Sequence, residues 1–176
     1  PPVQDGEVVR AATVGEVVAS RCPAYDVGDV VTTLGGFAQH SVARDDLFTT
    51  VVGRVSEGAA DVDRDAMLAV FGSTGATAYF GMHDIGKPQP GETVVVSAAA
   101  GATGSIAGQL AKAAGARVVG IAGGPEKAAF VVDELDFDAC IDRRADDVPR
   151  ALRELCPDRV HVYFDNVGGT VLDAVL

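Results

Sequence analysis

The sequence is short of cysteine, of histidine and of positive charge. Its three cysteines, Cys22, Cys140 and Cys156, lie far apart with no paired spacing. That excludes a disulfide framework and a zinc knuckle and leaves reduced thiols as the expectation. The histidines His40, His83 and His161 have no ligand spacing, so no metal site is expected. Lysine and arginine together number 14 against 25 acidic residues, a net charge of -11. This speaks against a nucleic-acid partner or an anionic membrane surface, because either needs a basic face. No basic stretch followed by an apolar run opens the chain, no secretory signal is read there, and a cytoplasmic setting is the expectation. Also missing are a GxSxG elbow, a lysine after a phosphate-binding loop and a Tyr-xxx-Lys pair.

What is present is a globular composition, 48% hydrophobic over 176 residues, enough for one or two small domains with a real core. The segment Thr93–Ala111 carries no charge. Its glycine punctuation and its polar residues Ser97, Thr103, Ser105 and Gln109 favour strand–turn–helix over a membrane span. The first fifty residues read as short β-strands at Val14–Ser20, Gly28–Leu34 and Gly36–Ala43, separated by turn signals. From Asp63 the pattern turns helical, through RDAMLAVFG and GATAYFGMHDIG.

Strands and helices then alternate. Strands are predicted at Thr93–Ser97, Arg117–Ala122, Asp138–Asp142 and Val160–Asp165, with helices at about 104–114, 126–134 and 146–156 and a further helical start after the fourth strand. That rhythm gives βαβ units and a parallel sheet. The fold class is therefore α/β: a Rossmann doubly wound sheet with four of its six strands, over residues 72–176, preceded by part of a small β-barrel over residues 1–71. A sheet stopped at strand four has a raw edge, and the chain is expected to be a piece of a longer protein.

Ala99, Gly101 and Gly104 form AxGxxG between the first of these strands and its helix. The first small residue permits the tight turn, Gly101 lets backbone approach a pyrophosphate, and Gly104 lets helix and strand pack closely. The helix N-terminus then offers free N–H groups to phosphate. At the end of the second strand an NAD site would carry an acidic residue for the ribose 2′-hydroxyl. The chain has Ala122-Gly123-Gly124 there, then Glu126 and Lys127. Lys127 can pair with a 2′-phosphate or stand as a solvated helix lysine, and Glu126 suits the start of a helix dipole. NADP(H) is the expected cofactor.

The run GATAYFGMHDIGKPQPGETVVVSAAAGATGSIAGQLAKAAGARVVGIAGGPEK, together with YFDNVGG, resembles the zinc-independent medium-chain dehydrogenases/reductases. It is most similar to the branch of prostaglandin/leukotriene B4 reductases and NADP-dependent alkenal double-bond reductases. AGGPEK and DNVGG in this spacing carry the branch. The resemblance implies a GroES-like substrate domain beside a Rossmann domain, and hydride transfer from NADPH to the β-carbon of an α,β-unsaturated aldehyde or ketone. It implies a homodimer for the full-length protein.

Residue by residue, the resemblance implies that Ala102, Thr103, Gly104 and Ser105 line the pyrophosphate and that Lys127 meets the 2′-phosphate. Asn166 would face the nicotinamide half, or else cap a turn, and Thr77 would stand near the nicotinamide. The branch has a tyrosine at the 2′-phosphate where this chain has Arg143, followed by Arg144; an arginine suits a phosphate well. No catalytic residue is assigned. Tyr79 and Tyr163 are read as core phenols. A quinone reductase of the same superfamily and a non-catalytic dinucleotide-binding protein are the alternative readings.

Overall fold

The computed structural model describes residues 3–58 and 63–176, and the chain divides into two units between Ser73 and Thr74. The first unit is a three-stranded antiparallel sheet in the order β1 (Thr13–Glu16), β2 (Asp29–Thr33) and β3 (Thr50–Arg54), followed by helix α1 (Arg64–Phe71). Val30 and Met67 form its small core, with Val14, Val52 and Val55 packed against them. The β2–β3 register shifts between Val30 and Val31, a bulge that bends the ribbon. Buried Asp29 accepts from Arg54 Nε at 2.8 Å and from Asp26 N at 2.8 Å, so its buried charge is paired and hydrogen-bonded.

The strand predicted at Gly36–Ala43 does not form; the sheet takes Thr50–Arg54 as its third strand. Gly36 adopts φ +78°, and Phe37 and Val42 are 81% and 85% exposed. The segment has no apolar side to bury, whereas Val52 joins the core.

The second unit opens with helix α2 (Ser73–Phe80), which runs on as a π-helical turn over Gly81–Gly86. A methyl group at Gly81 would lie 2.5 Å from the Phe164 ring, and one at Gly86 3.0 Å from Val162. Glycine at both positions lets the turn lie close against the sheet. Then come β4 (Thr93–Ser97), α3 (Ala102–Ala113), β5 (Arg117–Ala122), α4 (Pro125–Asp133), β6 (Ala139–Asp142), α5 (Val148–Leu155), β7 (Val162–Phe164) and α6 (Gly169–Val175). The sheet is parallel, in the order β6-β5-β4-β7, with Val95 opposite Val119 and Tyr163. This is the doubly wound order of the first four strands.

Both faces are covered, which is why β4 and most of β5 are continuous buried runs. Val94, Val96 and Val118 pack with α3 residues Ala107 and Ala111 and with Phe137 on one side. Val95, Val119 and Ile121 pack with Leu152 of α5 and with α6 on the other. The predicted helix stripe of Val148, Leu152 and Leu155 is the buried face of α5. Among the described residues no helix is long and apolar enough to cross a membrane.

Candidate functional site

In a parallel sheet every strand points the same way, so the loops after β4, β5, β6 and β7 gather at one edge. The glycine loop follows β4. Ala98 sits at φ +48° and its carbonyl accepts from Gly101 N at 2.8 Å, closing a tight turn. A methyl group on Gly101 would come within 3.1 Å of Ala98 O, and one on Gly104 would collide with that same oxygen. Gly104 therefore requires glycine for the close approach of α3 to β4, and at Gly101 a methyl would press on the turn that Ala98 closes. No side chain caps α3, so the N–H groups of its first turn, Ala102 to Gly104, point out of the helix without an intrahelical acceptor. Ser105 Oγ donates back to Ala102 O at 3.1 Å. Gly108 makes room for the Phe137 ring, which a methyl there would penetrate.

The basic residues gather around the β5 loop. Lys127 lies exposed in the first turn of α4, after Pro125 and beside Glu126. Arg143 and Arg144 reach across from the end of β6. A methyl group on Gly123 would lie 3.3 Å from Arg143 Nε and 3.4 Å from Arg144 Nε. Asp142 Oδ1 accepts from Gly124 N at 2.7 Å and from Arg144 N at 3.0 Å. These amides, that of Arg144 foremost, hold the Asp142 carboxyl below its ordinary range. Arg144 and Asp142 carry no sequence signal of a role beyond adjacency to Arg143.

At β7, Asn166 N donates to Ser97 Oγ at 2.8 Å and Asn166 Nδ2 donates to Ser97 O at 2.8 Å. Asn166 thus ties the ends of β4 and β7 beside the glycine loop. Asp165 Oδ1 accepts from Ser97 Oγ, Tyr163 OH, Val167 N and Gly168 N, all within 3.0 Å. The Gly168 and Val167 amides lead in lowering the Asp165 carboxyl to about 2, while burial pushes the Tyr163 phenol up to about 12. Tyr163 is half-buried in the network; Tyr79 is no core residue, being 46% exposed and stacked on His83 at 5.0 Å between ring centres. Its helix buries Gly75 and Ala78 instead. Thr77 stands on the exposed side of α2. Among the described residues no cluster of histidine, cysteine and carboxylate side chains could hold a metal ion.

Two family models match the chain: the N-terminal domain of oxidoreductase over residues 1–58 and zinc-binding dehydrogenase over residues 102–176. NADPH-dependent curcumin reductase of Escherichia coli (strain K12) is 43% identical over 177 residues, covering 100% of this chain and 49% of that protein. The 2-alkenal reductase (NADP(+)-dependent) of Nicotiana tabacum is 36% identical, over 97% of this chain and 49% of that protein. The crystal structure of CurA in complex with NADPH from Vibrio vulnificus superposes with a TM-score of 0.78 at 42% identity, over 99% of this chain and 50% of that one. The chain thus spans about half the length of the relatives it matches. With the doubly wound sheet and the glycine loop, these matches make the chain similar, over its whole length, to about half of a medium-chain dehydrogenase/reductase.

Proposed function

We propose that this chain forms the NADPH-binding part of a reductase that saturates the C=C bond of α,β-unsaturated aldehydes and ketones. The observation that carries the reading is the basic cluster where the β6 loop meets the β5 loop. Arg143 and Arg144 lie against Gly123, where an acidic side chain would suit an unphosphorylated ribose. Neither arginine has an acidic partner within ion-pair distance among the described residues. The uncapped start of α3 fits a pyrophosphate, with Gly101 and Gly104 leaving the backbone bare. The names of the curcumin and alkenal reductases above support the same cofactor and reaction type.

In this reading Gly101, Ala102, Thr103, Gly104 and Ser105 hold the pyrophosphate, and Lys127 and Arg143 hold the 2′-phosphate. Asn166, fixed by Ser97, and Thr77 border the nicotinamide half. NADPH supplies the hydride that goes to the β-carbon. The chain's own contribution is to bind and orient the dinucleotide at the carboxyl edge of the sheet. The full-length protein acts as a cytoplasmic homodimer on a small enal or enone, and sedimentation of that protein tests its dimeric state.

The cofactor assignment is tested by titrating the chain with 2′,5′-ADP and with 5′-AMP. The expected result is tighter binding of 2′,5′-ADP, weakened about tenfold in Lys127→Ala and in Arg143→Ala, with 5′-AMP unaffected. Equal affinity for the two nucleotides overturns the NADPH reading. For the reaction, the full-length protein is given an enal and NADPH deuterated at its transferable position. Deuterium is expected at the β-carbon of a saturated aldehyde; deuterium at the carbonyl carbon overturns the C=C assignment.

A further inference from the structure

The two arginines beside Gly123 belong to a different loop from Gly123 itself, and something must hold the loops in register. Asp142 does so. Its Oδ1 joins the Gly124 amide, at 2.7 Å, to the Arg144 amide, at 3.0 Å. Arg143 N adds a backbone bond to Ala122 O at 2.9 Å. The Asp142 turn is closed on its other side by its own N–H, which donates to Asp146 Oδ2 at 2.9 Å, and by its carbonyl, which accepts from Ala145 N and Asp146 N. The ends of β5 and β6 therefore meet through one backbone bond, and their loops through one carboxylate oxygen.

A carboxylate close to a phosphate subsite would ordinarily repel the ligand. Here the oxygen nearest the loops is already bonded to two amides, and two guanidinium groups flank Gly123. Amide donors to a carboxylate spread its charge into the backbone. The side-chain atoms nearest to Gly123 are those of the two guanidinium groups.

Resting on the NADPH reading above, we propose that Asp142 is the positioning residue for 2′-phosphate selectivity: by joining the Gly124 and Arg144 amides it holds the Arg143–Arg144 pair against Gly123. Asp142 itself touches no nucleotide. Arg144 is thereby a selectivity-determining residue on a par with Arg143. Gly123 leaves the space in which both guanidinium groups lie, 3.3 and 3.4 Å from where a methyl group there would stand.

The test measures the ratio of 2′,5′-ADP to 5′-AMP affinity by calorimetry on the full-length protein. Asp142→Ala is expected to lower that ratio about tenfold, chiefly through 2′,5′-ADP, and Arg144→Ala to lower it similarly. In the Arg143→Ala/Arg144→Ala background, Asp142→Ala is expected to change the ratio less than twofold, because no pair is left to position. Asp142→Asn keeps an oxygen acceptor for both amides and is expected to restore most of the ratio. It also serves if Asp142→Ala does not fold. Equal weakening of both nucleotides in Asp142→Ala, or loss of selectivity in Asp142→Asn as large as in Arg144→Ala, overturns the inference and leaves the NADPH reading standing. A parent protein with no preference between the nucleotides overturns both.

Discussion

Ser97 and Asn166 are bonded to each other twice: the Asn166 amide N–H donates to Ser97 Oγ and the Asn166 side-chain amide donates to Ser97 O, each at 2.8 Å. Ser97 is wholly buried at the end of β4. Its hydroxyl also donates to Asp165 Oδ1 at 3.0 Å. One hydroxyl therefore serves the backbone of one residue and the carboxylate of the one before it.

Ser97→Ala removes an acceptor and a donor at once from a site that water does not reach. Unfolding by urea is expected to show a loss of about 1–3 kcal/mol. In an Asp165→Ala background the same change should cost visibly less, because the carboxylate that accepts from the Ser97 hydroxyl is already gone. Strict additivity of the two changes would mean that the pair does not act as a unit.

The Asp165 carboxyl is lowered to about 2 in the folded chain, first by the Gly168 and Val167 amides. A folded-state value below the unfolded one means that the unfolded chain binds the proton more readily. The stabilisation is thus complete above the ordinary carboxylate range and is lost as pH falls through it toward 2. Urea midpoints measured from pH 5 downward should fall more steeply in the parent than in Asp165→Asn, which has no such charge to lose. Parallel curves would remove Asp165 from the acid response.

Gly108→Ala drives a methyl group into the Phe137 ring. Overpacking of this kind is expected to cost about 1–3 kcal/mol. Phe137→Leu in the same chain should recover part of the loss, since the ring is what the methyl meets. A Gly108→Ala chain that melts like the parent would show that α3 and Phe137 can move apart freely.

The second unit was legible in the sequence because strands buried on both faces need no alternation. TVVVS and RVVGIA carry consecutive apolar residues without alternation, and each is followed by turn residues and a helical stripe. The AxGxxG loop was legible because the two glycines meet the backbone of Ala98, a neighbour in sequence. The first unit was harder. Thr50–Arg54 is a strand by virtue of pairing with Asp29–Thr33, which no local pattern announces. The π-helical turn at Gly81–Gly86 answers to Phe164 and Val162, some eighty residues away in sequence. Arg144 and Asp142 were missed as parts of the site for the same reason: their meaning lies in Gly123 and Gly124, on another loop.

The strand order also governs how the chain can assemble. β5 and β6 reach their places through successive βαβ units, but the other side of β4 is closed by β7, and Ser97 finds Asp165 across a separation of 68 residues. At a synthesis rate of about 5–20 residues per second, β4 waits roughly 3–14 seconds for that partner. Throughout that interval a strand with three consecutive valines presents an open edge, and the nascent chain is most open to mispairing just before Val162–Phe164 emerge.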